Sequence, residues 1–177
     1  ATETRNRLSP ACSEPEGSVA LATQQVEVRF RGTQRSYELT APASTKVGTP
    51  RGLLIDFGDL AESVTEHSAE TQLSQIVGSQ SLALATIAPV GTPGQWNVTD
   101  DRADPDDIAF AAAVVGDLGD RLCVDRDRIF LVGVGAGAHM AASIACATPD
   151  MIAGIILVAG LYRPDDCPGE SGTWVLS

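Results

Sequence analysis

Residues 128–140 read Arg-Ile-Phe-Leu-Val-Gly-Val-Gly-Ala-Gly-Ala-His-Met, an apolar run that passes through Gly133, Gly135 and Gly137 into alanine-rich sequence. The first half suits a strand buried on both faces and the second a helix. Three glycines at alternate positions permit a tight turn in which backbone segments approach closely. A strand delivered straight into a helix is the repeating unit of an α/β protein with a parallel sheet and right-handed crossovers. The same Gly-x-Gly-x-Gly outline could cradle a phosphate. A dinucleotide loop, however, follows the first strand of its sheet and not the fifth, so no cofactor is expected.

The rest of the chain repeats this alternation. Val26, Val28 and Phe30 alternate as a strand, Gly32-Thr33-Gln34 turns, and Ser36–Thr40 returns, making a β-hairpin. Gly52–Phe57 and Leu82–Ile87 are short apolar runs typical of buried strands, with a helix expected over 64–78 between them. Asp104-Pro105-Asp106-Asp107 is an acidic start, with proline in the first turn, for a helix reaching about Leu122. Arg128–Val134, Ala136–Ala147, Gly154–Ala159 and Thr173–Leu176 follow as strand, helix, strand and strand. At 177 residues and 44% hydrophobic, one domain over 25–177 is expected, preceded by a polar tail, 1–24.

The formal net charge of −11 argues against nucleic acid and anionic membrane surfaces as partners. No run of about 18 apolar residues is present to span a bilayer. Cys12, Cys123, Cys146 and Cys167 are an even, scattered set without Cys-x-x-Cys spacing, which fits two disulfides in an extracytoplasmic compartment better than zinc. Three pairings are open. Cys146–Cys167 with Cys12–Cys123 is favoured, because it pins a helix to the loop beyond the next strand and ties the tail to the body. The start at Ala1 without Met is read as a processed N-terminus.

Several segments together carry a resemblance. They are Arg35-Ser-Tyr-Glu-Leu39, Leu54-Ile-Asp-Phe57, Trp96-Asn97, Asp106-Asp-Ile-Ala-Phe110, Leu122-Cys-Val-Asp-Arg-Asp-Arg-Ile-Phe130, Ala145-Cys146 and Val158-Ala-Gly160. In this order, over residues 25–177, the chain resembles secreted α/β-hydrolases of the feruloyl esterase and polyhydroxybutyrate depolymerase-like group. The resemblance implies a mostly parallel α/β-hydrolase-like sheet with an N-terminal β-hairpin. It also makes 133–137 the nucleophile elbow, whose middle position carries the attacking serine in this fold.

Three departures set the functional expectation. Gly135 stands where the resemblance implies the serine. Gly58-Asp59 stands where it implies the His-Gly turn of the oxyanion hole, so a carboxylate sits near where negative charge must develop. The chain stops at Ser177, at the end of the seventh strand, before the positions where the acid and histidine are implied. The expectation is therefore a truncated, inactive esterase relative serving as a structural or interaction subunit. Other protein subunits would cover the edge at Trp174, Val175 and Leu176. A non-catalytic module for a glycan, ester or polymer is the alternative, with Trp96, Asn97 and His139 as contact candidates. A degenerate hydrolase complemented by another polypeptide is the third reading.

Other residues are set aside. Ser143 lies well into the helix after the elbow, with no base in sight. His67 is expected on a surface helix. Asp100, Asp101, Asp104, Asp106 and Asp107 lack the spacing of a calcium loop, and a helix start explains the later ones. Asn97-Val98-Thr99 fits a glycosylation sequon, but Trp-Asn already belongs to the resemblance.

Overall fold

The structure is a computed structural model that describes residues 7–13, 22–41, 49–77, 81–89, 94–98, 106–160, 167 and 175–176. Its strands are β1 (Ala22–Phe30), β2 (Thr33–Ala41), β3 (Arg51–Phe57), β4 (Leu82–Ile87), β5 (Val124–Val134), β6 (Gly154–Val158) and β7 (Val175–Leu176). The helices are α1 (Val64–Thr71), α2 (Leu73–Val77), α3 (Asp107–Arg121) and α4 (Ala136–Ala147). The strands form one sheet in the order β1-β2-β4-β3-β5-β6-β7. β1, β2 and β4 pair antiparallel, and the remaining pairs are parallel.

β3 lies at the centre and every one of its residues is buried. Alternation along the strand divides its side chains between the two faces of the sheet. Leu53, Ile55 and Phe57 join Ile129 and Leu131 of β5, Phe110, Val114 and Leu118 of α3, and Met140 and Ile144 of α4 in the larger core. Leu54 faces the other way, against Leu84, Val132 and Val77 of α2. On β6 two alternate residues, Ile156 and Val158, are exposed at 36% and 46%.

Local chemistry explains where elements begin and end. Ser63 caps α1 by accepting from Glu66 N, while Glu66 Oε2 accepts from Ser63 N at 3.0 Å, a reciprocal box that closes two orphan donors. The single helix expected over 64–78 is instead two, because Gln72 takes a left-handed conformation (φ 51°) that ends α1. Asp106 caps α3, accepting from Ala109 N at 3.0 Å, so the helix starts at Asp107. β5 begins at Val124, four residues before the expected Arg128. Its pairing with β3 jumps from Arg51↔Val124 to Leu53↔Ile129, so the charged stretch 125–128 is taken up as an irregularity.

Part of the N-terminal segment is fastened to the body. Leu8 bridges Asp125, Ser9 Oγ donates to Leu122 O at 2.8 Å, and Arg7 holds the Asp125 carboxylate by two hydrogen bonds of 3.0 and 2.7 Å. Cys12 is joined to Cys123, and Cys146 to Cys167. Trp174, Asp100, Asp101, Asp104 and Thr99 lie outside the described residues; of the seventh strand, Val175 and Leu176 pair in parallel with Ile155 and Ile156, the last pairing of the sheet among the described residues.

Candidate functional site

The elbow at 133–137 is set by backbone contact on three sides. A Cβ on Gly133 would overlap the Gly137 carbonyl, and a Cβ on Gly137 would overlap the carbonyl of Phe57 at the end of β3. A Cβ on Gly160 would lie 2.6 Å from Gly135 O. The alternating glycines therefore serve close approach of strand, turn and helix. Gly135 itself has φ 54° and ψ −116°, a conformation that side chains rarely adopt, and its N–H donates to Val158 O at 2.9 Å.

Above this turn sits Asp59. Its Oδ1 accepts from Ala136 N at 2.8 Å and from Leu60 N at 2.7 Å. Gly135, the N-cap residue of α4, makes no side-chain cap of its own. The carboxylate from the β3–α1 turn thus caps α4 from outside the helix, with its charge at the positive end of the helix dipole. A Cβ on Gly135 would run into the same carboxylate, with Oδ1 at 2.6 Å. The two departures noted in the sequence are one spatial arrangement: Asp59 fills the volume that a side chain at 135 would need.

The Asp59 turn is held from below. Trp96 is buried, packs edge-on against Phe57 at 5.6 Å between centroids, and donates from Nε1 to Gly58 O at 2.9 Å. Its polar end is spent on the turn, which argues against its use as a ligand contact. Ala61 N donates to Gly94 O at 2.9 Å, and Glu62 Oε2 accepts from Asp59 N at 2.8 Å.

That same Glu62 oxygen lies 2.9 Å from His67 Nδ1, and His67 Nε2 lies 2.8 Å from Asp56 Oδ1. The helix that carries His67 is a surface helix, as expected, but the His67 side chain is its one buried position. The ring is on the inward side of α1 and 1% exposed, drawn in by two carboxylates that its sequence neighbours did not reveal. Burial works against a charged ring, but Asp56 and Glu62 together outweigh it and hold the His67 pKa above its ordinary value. Burial pushes the Asp56 carboxyl up, with His67 opposing.

A second buried charge pair flanks the site. Arg35 and Asp107 approach to 2.7 Å with side chains 5% and 0% exposed, a close buried ion pair. The guanidinium stacks 3.8 Å over the Phe110 ring, and Asp107 Oδ2 accepts from Asn97 N at 2.8 Å. Asn97, Asp107 and Phe110 thus tie the loop before α3 to the hairpin. Asp106 meets Arg31 at 2.6 Å. His139 is half-buried in α4, and Ser143 is buried there. Among the described residues no group of three or more His, Cys, Asp or Glu could hold a metal, and no helix is long and apolar enough to cross a membrane.

No family model matches the chain. It is 32% identical over 161 residues, 87% of its length, to "Putative esterase NocK" of Nocardia uniformis subsp. tsuyamanensis, and covers 45% of that protein. It is 27% identical over 103 residues to feruloyl esterase B of Piromyces equi, covering 57% of this chain and 19% of that one. The chain thus spans less than half the length of these relatives. The solved structure of acetyl xylan esterase from Aspergillus awamori superposes with a TM-score of 0.61 at 15% identity, over 82% of this chain and 56% of that one. The sheet, the hairpin at its start and the strand–elbow–helix at 124–147 are those of the α/β-hydrolase fold, and the proteins this chain is similar to are esterases.

Proposed function

We propose that this chain is a catalytically inactive esterase-like domain that serves as an interaction subunit of a larger extracytoplasmic assembly. The hydrogen bond from Ala136 N to the Asp59 carboxylate carries this reading. In this fold, acyl transfer needs a hydroxyl at position 135 and a free amide at the next residue, to receive the charge that develops on the substrate oxygen. Here position 135 offers no side chain, and a resident carboxylate already takes the amide. A second negative charge developing beside Asp59 would be repelled.

Exposure of Ile156 and Val158 on one face of β6, beside the edge strand β7, supports a docking role. The two disulfides support an oxidising compartment. The seventh-strand edge is the proposed place for the covering polypeptide.

Two measurements test this. The purified chain is expected to give no turnover of short p-nitrophenyl esters and no labelling by a fluorophosphonate, which reacts with activated serines. Labelling, or turnover above the buffer rate, would overturn the assignment of inactivity. Native mass spectrometry of the material as isolated is expected to show a mass well above 18.4 kDa, with other polypeptides in fixed ratio. A stable monomer would remove the subunit role.

A further inference from the structure

Glu62 Oε2 serves two groups at once: it accepts from Asp59 N at 2.8 Å and lies 2.9 Å from His67 Nδ1. The other ring nitrogen lies 2.8 Å from Asp56 Oδ1. A neutral imidazole has one N–H and one lone pair, so it can donate to only one of these carboxylates and must turn a lone pair toward the other. Both contacts are favourable only when the ring carries both protons. We infer that doubly protonated His67 is a clamp that, through Glu62, keeps the Asp59 carboxylate seated on the Ala136 amide, and that loss of one ring proton releases it.

Which contact yields is set by burial. The Asp56 side chain is 0% exposed, and its Oδ2 has no hydrogen-bond partner among the described residues, so Asp56 cannot exchange the ring for another donor at low cost. Glu62 is 13% exposed and can turn toward water. The remaining proton therefore stays on Nε2 with Asp56, and Glu62 leaves Nδ1. Asp59 N then loses its acceptor, and the 58–62 turn loses its link to α1. Among the described residues, the charges that act on the ring are Asp56 from β3 and Glu62 from the turn, while Glu38 of β2 is engaged with Ser68 Oγ at 3.0 Å. Thr86 of β4, the register neighbour of Asp56, is uncharged, and Glu66 of α1 is engaged with Ser63. The raised pKa of the ring agrees with this account and places release on the alkaline side of an ordinary histidine.

The inference concerns control of the site whose inactivity is proposed above, yet it is tested without measuring activity. An NMR titration of the intact, isotopically labelled chain would follow the His67 ring together with the amides of Asp59 and Ala136. The expected result is a shared midpoint above about 6.5 for all three, with Ala136 amide exchange, corrected for base catalysis, rising at least about tenfold across it. The conservative His67→Gln variant should abolish that inflection at both amides. Asp59 and Ala136 resonances that pass through the His67 midpoint without moving would overturn the clamp, and the wild-type titration decides this even if the variant does not fold. Ester turnover at any pH would instead strike the inactivity proposal and leave the titration result standing.

Discussion

A methyl group added at Gly137 is expected to cost about 4 kcal/mol or more and to leave little native protein. The new Cβ would overlap the Phe57 carbonyl, with Gly58 O at 2.7 Å. Both obstacles are backbone, at the end of the central strand, so neither can rotate aside as a flexible side chain could. Moving α4 away would uncover Met140 and Ile144, two of the most deeply buried side chains. Gly116→Ala is the control. It lies in the middle of α3 on an exposed surface, with nothing within 4 Å of a new Cβ. It is expected to stabilise by about 0.5–1 kcal/mol, through helix propensity and lower entropy of the unfolded chain. Denaturant unfolding of the two variants beside the parent checks both signs. A soluble, fully folded Gly137→Ala protein would show that the elbow is not locked as described.

Asp107→Ala is expected to lower stability by about 3–5 kcal/mol. The substitution removes a carboxylate paired with a buried guanidinium and takes the acceptor from Asn97 N. The loss comes mainly from taking the Asp107 carboxylate away from the buried Arg35 guanidinium beside Phe110, and only partly from the value of the pair itself. A double change, Arg35→Met with Asp107→Leu, should therefore recover most of the loss by removing both charges together. Chemical denaturation of the single and double variants separates these contributions. A double variant as unstable as Asp107→Ala would mean that the Asn97 contact, and not the charge, dominates.

Much of this architecture was legible in the residues because period and punctuation agreed. Leu82–Ile87 stands as a strand with the expected bounds, and Ala136–Ala147 as a helix with the expected bounds. Boundaries failed where tertiary pairing overrode local pattern. Val124–Arg128 is too polar to read as a strand, yet it is drawn in by Leu8, Arg7 and Arg51. Gln72 gives no sequence sign of the left-handed turn that splits the helix. Within the site, Gly135 and Asp59 were readable as departures, but not as neighbours: they are far apart in sequence and meet only because β3 and β5 pair side by side. The Asp56–His67–Glu62 group was missed, although a signal existed. An aspartate inside the apolar run Leu53-Leu-Ile-Asp-Phe57 is a buried charge requiring a partner, and the nearest histidine on the following helix was the candidate to ask about.

The two crosslinks divide the chain in a way that bears on its mechanics. One closes a ring from Cys12 to Cys123, and the other a ring from Cys146 to Cys167. Under tension applied at the two termini, neither ring can unravel while its disulfide is intact. Between the rings, the slack available is residues 124–145, the stretch that holds β5, the elbow and most of α4, with a contour of about 75 Å when fully drawn out. A stretched molecule would therefore give up its elbow before its hairpin or central strand, and a protease cut inside 124–145 would separate the protein into two looped halves that no covalent bond rejoins.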